Sequence, residues 1–322
     1  MGRNLITGGF GLIGRRLAKL LLDEGEEVVL FDVVSESKLT KDIRDRVSIV
    51  RGDLTNWVQV IDAVKNNNIS CIYHLGSLLP PTTEQNPAAA FAVNITGSFN
   101  ILEAARLLGV DSVTYASSLS TFGFDLPQVI PNDFPQRPPN MYGVTKVCSE
   151  RLGEYYHSRF GVNFRGVRFP VIMGPGRVLG VGWTAFTSLL IEEAAMGRPY
   201  TIYVDKSTNA GFLYLKDAAQ SLIDLNRVDD ERLTRRVYSL YGFSATAQDL
   251  VDSVKSYIPE AQIDFKPDQA MLRIIETQYA VISKRLDDTL AREDWGWSPH
   301  YSLDQAVEDF IKEVRANKAI SE

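Results

Sequence analysis

The chain has no apolar run long enough to cross a membrane. A transmembrane helix needs about 20 consecutive apolar residues, and no stretch of this 322-residue sequence approaches that length. Mean hydropathy is −0.09. No secretory apolar region or cleavage site follows Met1. We therefore expect a cytoplasmic protein without a membrane partner.

Cysteine and clustered positive charge are also scarce. Two cysteines, Cys71 and Cys148, do not make a disulfide framework, and both are predicted to be reduced and buried. The formal net charge is −6 and no cluster of lysine or arginine occurs, which argues against a nucleic-acid partner. The three histidines show no metal-ligand spacing, so no metal site is predicted.

The sequence does contain a large apolar fraction in alternating patterns. Hydrophobic residues make up 45% of the chain, enough for a large core. In the first half, short apolar runs alternate with longer segments of helical periodicity, which predicts a parallel, doubly wound sheet of the Rossmann type. The predicted strands are 4–7, 27–32, 47–51, 69–75, 112–116 and 163–169, and the predicted helices are 12–22, 57–65, 88–108 and 144–160.

This regularity fades after Phe169. The stretch PVIMGPGRVLGVG is rich in glycine and proline and predicts a loop. Beyond it we expect a helix near 185–196, strands near 201–203 and 211–215, and helices at 216–225, 247–257 and 302–315. We interpret residues 1–176 as a Rossmann domain and residues 177–322 as mainly a smaller α/β substrate lobe that closes a cleft at the strand ends.

A glycine triplet follows the first strand and opens the first helix, in TGGFGLIG. Gly8 permits the tight turn, Gly11 admits a pyrophosphate to the backbone, and Gly14 lets helix and strand pack closely. Asp32 ends the second strand, where a carboxylate accepts ribose hydroxyls and repels a 2′-phosphate. The predicted cofactor is therefore NAD rather than NADP. Asp53 is interpreted as an adenine contact, with a helix N-cap as the alternative.

Tyr142 and Lys146 are four residues apart in a predicted helix, so their side chains share one face. The pair could be an ordinary surface contact. Alternatively, the ammonium could lower the phenol pKa from about 10 toward neutral and prepare a proton-transfer group.

These motifs together resemble the extended short-chain dehydrogenase/reductase family. The matching segments are TGGFGLIG, Asp32, GDL at 52–54, HLGS at 74–77, Asn94, YASSLSTFG at 115–123, Tyr142 with Lys146, and RFPVIMGPG at 168–176. The resemblance implies that Tyr142 is the catalytic acid/base, that Lys146 lowers its pKa, and that a serine orients the substrate oxygen. By position that serine is Ser118, whereas Ser117 and Ser120 are interpreted as structural.

The resemblance also implies contacts along the whole cleft. The expected cofactor contacts are Gly8, Phe10, Gly11, Leu12, Ile13, Gly14, Asp32, Asp53, Leu54, Leu75, Gly76, Ser77, Asn94, Tyr142, Lys146, Pro170 and Val171. The expected substrate contacts are Ser77, Pro80, Ser118, Tyr142, Trp183 and Thr184. A homodimer, formed through a four-helix seam of 88–108 and 144–160, is expected as well.

Within that family, the sequence looks most like the short-chain L-threonine 3-dehydrogenases but departs from them around the substrate. Pro80 stands where that group has a serine, Trp183 and Ala185 where it has threonine and aspartate, and Ile282 where it has tryptophan. We therefore expect NAD-dependent oxidation of a secondary alcohol other than L-threonine: a hydroxy acid, a sugar derivative or an aryl alcohol.

Three alternatives remain open. The enzyme could oxidise L-threonine after all, or it could be a sugar epimerase or dehydratase that shares the fold and the catalytic residues. Epimerases usually carry an arginine where this chain has Ala210-Gly211, and without that cation a sugar diphosphate would bind poorly. A binding module that senses NAD without turnover is the third; retention of Ser118, Tyr142 and Lys146 argues against it.

Overall fold

The computed structural model describes residues 2–34, 43–176 and 184–321. Strands are numbered in chain order: β1 (Arg3–Thr7), β2 (Val28–Asp32), β3 (Ser48–Arg51), β4 (Ile69–His74), β5 (Ser112–Ser118), β6 (Val129–Ile130), β7 (Phe164–Phe169), β8 (Val171–Met173), β9 (Tyr200–Ile202), β10 (Asn209–Tyr214), β11 (Val237–Ser239), β12 (Phe243–Thr246), β13 (Ile263–Phe265) and β14 (Arg285–Leu286).

The helices alternate with these strands in the first half of the chain. They are α1 (Leu12–Asp23), α2 (Trp57–Asn66), α3 (Thr82–Gln85), α4 (Pro87–Ala90), α5 (Gly97–Leu108), α6 (Met141–Phe160), α7 (Phe186–Ala195), α8 (Leu215–Arg227), α9 (Ala247–Tyr257), α10 (Gln269–Gln278), α11 (Thr289–Trp295) and α12 (Leu303–Ser321). A π-helical turn over Phe91–Thr96 joins α4 to α5, so the predicted helix 88–108 is continuous but not uniformly α-helical.

Seven of the described strands form the main sheet, in the order β11-β7-β5-β4-β1-β2-β3. Every pairing in it is parallel. The central strands are covered on both faces: Leu5, Ile6, Val29 and Leu30 are fully buried. Continuous apolar strands of this kind need helices on each side, which is the arrangement that the alternating pattern predicts. The Rossmann-type fold class is confirmed.

The remaining strands form small sheets over the carboxyl ends of the main one. β12, β10 and β8 make a three-stranded sheet, and β13 pairs with β9. Their core joins residues of β10, α7 and α12, including Phe212, Leu190 and Phe310. This lobe places residues of the second half of the chain above the strand ends, where ligands of doubly wound sheets bind.

Two of the differences from the sequence-based expectation lie in or next to the main sheet. Val171–Met173, inside the predicted glycine- and proline-rich loop, is a strand that pairs in parallel with β10. β11, for which no strand was predicted, completes the edge of the main sheet beside β7. α8 and β11 lie beyond residue 176 yet contribute Leu222 and Tyr238 to the same core as Ile6 and Leu17. The proposed division at residue 176 stays a prediction, and parts of the second half pack on the Rossmann sheet.

Across these described ranges, no helix is long and apolar enough to span a membrane.

Candidate active site

The predicted site residues surround one cavity of about 570 Å³ at the carboxyl ends of the main-sheet strands. All the expected cofactor contacts line it except Asn94, and of the expected substrate contacts Ser77, Pro80, Ser118, Tyr142 and Thr184 line it. Trp183 lies outside the described residues. The topology therefore brings together residues spread over more than half of the chain.

The glycine loop forms a tight turn at one end of the cavity. Gly8 has φ +67° and its N–H donates to Phe31 O at 2.9 Å. Gly11 precedes α1 and no side chain caps that helix, so the first amides of α1 are open to an anion. A Cβ on Gly14 would come within 2.5 Å of Gly8 O. The loop can keep this shape only with glycine there.

Two carboxylates lie along the same end of the cavity. Asp32 ends β2, and its Oδ2 accepts the N–H of Phe10 in the glycine loop at 3.1 Å. Asp53 accepts the N–H of Thr55 at 2.8 Å, whereas the N-cap of α2 is Asn56. The alternative interpretation of Asp53 as a helix N-cap is therefore wrong.

Asn94 lies behind the cavity wall rather than in it. Its side chain is buried and accepts from Leu78 N at 2.7 Å while donating to Thr145 Oγ1 at 3.0 Å. Thr145 stands beside Lys146 on α6. Asn94 thus braces the segment after β4 against the helix that carries Tyr142 and Lys146, and its direct contact with the cofactor stays a prediction.

Tyr142 and Lys146 occupy the first turns of α6, and Ser118 ends β5. Asn140 caps this helix by accepting Gly143 N, and the carboxylate of Glu84 accepts the N–H groups of Met141 and Tyr142 at 3.0 and 3.2 Å. These bonds fix the start of α6, which carries the phenol. The Ser118 hydroxyl hydrogen-bonds with the phenol of Tyr142.

Lys146, one turn further along α6, extends to the same part of the cavity wall as Tyr142. Its Nζ donates to Ala116 O at 2.7 Å and lies 5.6 Å from the ring centroid of Tyr142. The two side chains face the cavity, not the solvent-exposed surface, so the ordinary surface contact is excluded. The four-residue spacing by itself is compatible with either a surface contact or a proton-transfer pair.

Burial dominates the electrostatics of this pair. It raises the pKa of Tyr142 to about 12, and the hydrogen bond with Ser118 only partly opposes that rise. It also lowers the pKa of Lys146 to about 7, with the charge of Glu150 acting in the opposite direction. The expectation that Lys146 brings the Tyr142 pKa toward neutral is therefore wrong for this structure, because withdrawal from water disfavours both charged forms.

A buried ion pair supports the site from below. Arg168 on β7 donates to both carboxylate oxygens of Glu150 at 2.9 and 2.8 Å, and Ser117 donates to the same carboxylate. The carboxylate partner of Arg168 is thus on α6, one turn after Lys146. Ser117 is thus occupied structurally, and the hydroxyl that interacts with the Tyr142 phenol is that of Ser118.

His74 at the end of β4 is a packed histidine. Its two ring nitrogens contact Thr7 Oγ1 at 2.7 Å and Ser98 Oγ at 3.0 Å. Burial and the nearby charge of Lys146 lower its pKa to about 3. It is therefore neutral at physiological pH.

Comparison with known proteins gives the family. Residues 4–239 match the NAD-dependent epimerase/dehydratase family. The chain belongs to that family. It is an NAD-dependent enzyme of the short-chain dehydrogenase/reductase superfamily.

Individual relatives match over nearly the whole chain. The mitochondrial L-threonine 3-dehydrogenase of Sus scrofa is 29% identical over 323 residues, which cover 99% of this chain and 84% of that protein. An uncharacterised epimerase/dehydratase of Staphylococcus aureus (strain USA300) is 31% identical over 306 residues, 94% of each chain. The solved structure of L-threonine dehydrogenase from Clostridium difficile has a TM-score of 0.90, 32% identity and 99% coverage of both chains.

The glycine end of the cavity fits the cofactor of this family. Gly11 stands at the open start of α1, and a Cβ there would be crowded because it would lie 3.1 Å from Gly8 O. Gly76, across the turn, is similarly crowded, since a Cβ there would lie 2.7 Å from Leu54. The amides of α1 would hold the pyrophosphate, and Asp32 would accept the ribose hydroxyls.

The other end of the cavity departs from the L-threonine dehydrogenase pattern. Pro80, Thr184 and Ile282 line it. Ala185 is buried at the start of α7 and does not line the cavity, so its side chain shapes the pocket only through packing.

Leu119 and Tyr279 are among the lining residues that were not predicted. Tyr279 follows α10, a helix that was not predicted from the sequence. The hydrogen bond from Asn140 Nδ2 to Gln278 O, 2.9 Å long, brings that segment to the start of α6. Local periodicity gives no signal for such a contact between distant segments.

Proposed function

We propose that this enzyme oxidises a secondary alcohol with NAD, using Ser118, Tyr142 and Lys146. The observation that carries the proposal is their position: the three side chains meet on the wall of the same cavity as the glycine loop. A proton-transfer group and a cofactor site that open into one cavity can act on one substrate carbon.

Each residue has a distinct task in the proposed reaction. Tyr142 takes the proton of the alcohol as the C–H bond breaks, Ser118 hydrogen-bonds to the same oxygen, and protonated Lys146 stabilises the phenolate by its charge. Bound NAD supplies the hydride acceptor. In the opposite direction Tyr142 donates its proton to a carbonyl, and its raised pKa keeps that proton in place at neutral pH.

The described lining of the substrate end supports a substrate other than L-threonine. Pro80, Leu119, Tyr279 and Ile282 offer apolar or aromatic surface near Ser118 and Tyr142. Holding an ammonium against apolar surface without a partner is costly. We therefore expect a hydroxy acid, a sugar derivative or an aryl alcohol to exceed L-threonine at least tenfold in kcat/KM.

L-threonine oxidation is the second candidate, and the relatives favour it. Proteins named as L-threonine dehydrogenases match this chain from end to end, and the catalytic residues are retained.

Epimerisation of a nucleotide sugar has less support. A Cβ on Gly211 would meet the Tyr241 ring at 2.5 Å, which leaves no space there for the arginine that epimerases use. A sugar diphosphate would lack that counter-charge.

A substrate screen decides between these activities. The purified protein with NAD would be tested on L-threonine, small polyols, sugar acids, hydroxy acids, aryl alcohols and nucleotide sugars. NADH absorbance would measure oxidation, and chromatography of the products would measure epimerisation. Oxidation of L-threonine at kcat/KM of about 10⁴ M⁻¹s⁻¹ or more, an ordinary value for a true substrate, would establish the second candidate. Conversion of a nucleotide sugar to its epimer without net NADH would establish the third.

The proposed assembly is a homodimer formed through α5 and α6. Phe91, Phe99, Tyr155 and Phe160 lie on or beside these helices and are exposed. An exposed set of large apolar side chains on two adjacent helices is typical of an interface. Two such helices from each protomer would form a four-helix seam.

A further inference from the structure

Arg15 is a cation beside the glycine loop and belongs to none of the predicted cofactor or substrate contacts. It is the fourth residue of α1, and side chains of a helix lean toward its N-terminus. Arg15 lines the cavity, and its Nη2 donates to Gly176 O at 3.0 Å. The guanidinium therefore lies near the open amides at the start of α1, at the end of the cavity suited to phosphate.

Gly176 is held from both sides. Its carbonyl accepts from Arg15 of the Rossmann domain, and its N–H donates to Glu192 Oε2 on α7 of the lobe at 3.3 Å. Its φ of +83° requires glycine, and a Cβ there would lie 3.1 Å from Arg15 Nη2. One glycine thus connects α1 to α7, the helix that begins just after the cavity-lining residue Thr184.

The chemistry of a guanidinium suits a second role at this point. It carries five N–H donors in a planar fork, so one donor can stay on a carbonyl while others bind phosphate oxygens. Such hydrogen bonds are charge-assisted and reinforce the positive end of the α1 dipole.

We propose that Arg15 binds the pyrophosphate of NAD while it keeps its hydrogen bond to Gly176, and so couples cofactor binding to the position of α7. The coupling follows because Gly176 is bonded to Glu192 of that helix. The proposal rests on NAD as the cofactor and not on which alcohol is oxidised.

Calorimetric titration tests the phosphate contact without any turnover. Arg15→Gln keeps an N–H donor for Gly176 but removes the charge, and Arg15→Lys keeps the charge but removes the fork. The matched control is Lys19→Gln, on the same helix one turn further, where Lys19 pairs with Asp23 on the surface. Each variant would be titrated with NAD, ADP-ribose and adenosine, after circular dichroism has verified folding.

We expect Arg15→Gln to raise the Kd of NAD and of ADP-ribose about tenfold or more, as the loss of charged hydrogen bonds predicts. Arg15→Lys should lose less, Lys19→Gln should stay within about twofold, and adenosine should bind each variant equally. The Kd of NAD should also depend less steeply on salt in Arg15→Gln. If Arg15→Gln binds NAD within about threefold of the unmodified protein, or loses adenosine as much as NAD, Arg15 is only a structural tie.

Hydrogen exchange tests the coupling to the lobe. NAD should slow amide exchange across α7 in the unmodified protein and in Lys19→Gln, but much less in Arg15→Gln at NAD concentrations that saturate each variant. Equal protection of α7 in Arg15→Gln would show that Arg15 does not transmit cofactor binding to that helix.

Discussion

Replacing Tyr142 with phenylalanine removes a single oxygen atom from the cavity wall and leaves the ring in place. The structural loss is small: the hydrogen bond between the phenol and Ser118 contributes about 0.5–1.5 kcal/mol in a typical protein. The catalytic loss is large, because a positioned proton-transfer group contributes about 10²–10⁴-fold to a rate. We expect Tyr142→Phe to remain folded, to bind NAD nearly unchanged, and to lose that factor in kcat.

The assay compares two tyrosines. Tyr257 ends α9, lies outside the proposed seam and is 39% exposed, so Tyr257→Phe controls for the loss of a phenol. Single-turnover oxidation of the best substrate from the screen, with NADH formation as the signal, isolates the chemical step from product release. If Tyr142→Phe retains more than about a tenth of the unmodified rate in that step, the proton-transfer role of Tyr142 is refuted.

The raised pKa adds a pH dependence to this prediction. With a Tyr142 pKa of about 12, the phenolate fraction grows tenfold for each pH unit through the neutral range. Alcohol oxidation should therefore accelerate as the pH rises, less steeply above about pH 7, where Lys146 loses its proton. The rise should be absent from Tyr142→Phe. An equal pH profile in both proteins would assign the titrating group elsewhere.

Three further outcomes are expected. Asp32→Ser should weaken NAD binding and narrow the preference for NAD over NADP in paired titrations, whereas equal use of NADP by the unmodified enzyme would contradict the role of Asp32. Burial lowers the pKa of His74 from 6.5 to about 3, so between these pH values only the unfolded chain binds a proton at His74. The free energy of unfolding should therefore decrease as the pH falls, by up to about 1.4 kcal/mol per pH unit. Urea unfolding of His74→Gln should show a shallower decrease with pH, and an unchanged slope would exclude His74 as its cause. Light scattering should give a dimer mass that Phe160→Glu reduces to a monomer, and a monomeric unmodified protein would refute the seam.

The main sheet could be predicted because its strands carry their own signal. β2 is the continuous run Val-Val-Leu-Phe-Asp with its apolar residues fully buried, and such runs between amphipathic helices have few other solutions. The glycine loop could also be predicted, because contacts between residues close in sequence determine the spacing of its glycines.

The edge strand of the main sheet and the lobe had no comparable pattern in the sequence. β11 is three residues long and is defined by its register with β7, as in the pairing of Tyr238 with Val167. Tyr279 reaches the cavity because Asn140 holds Gln278 O, 138 positions along the chain. Contacts set by tertiary packing leave no periodic pattern, so the substrate wall could be predicted only where the resemblance supplied a position, as at Pro80 and Ile282.

The pKa of Tyr142 shows a different limit of sequence reasoning. Spacing on α6 correctly placed an ammonium near a phenol, and an opposite charge alone would lower the pKa of that phenol. The spacing of two residues in the sequence does not show how far their side chains are buried from water. In the folded chain Lys146 is nearly fully buried. Withdrawal from water destabilises its charged form, so the pKa of Lys146 falls to about 7. A charged group nearby, such as a bound cofactor or the carboxylate of Glu150, then changes the number of protons that Tyr142 and Lys146 bind together. The proposed proton transfer by Tyr142 would thus depend on the assembled cavity, and pH-dependent rates of the loaded enzyme would measure that dependence.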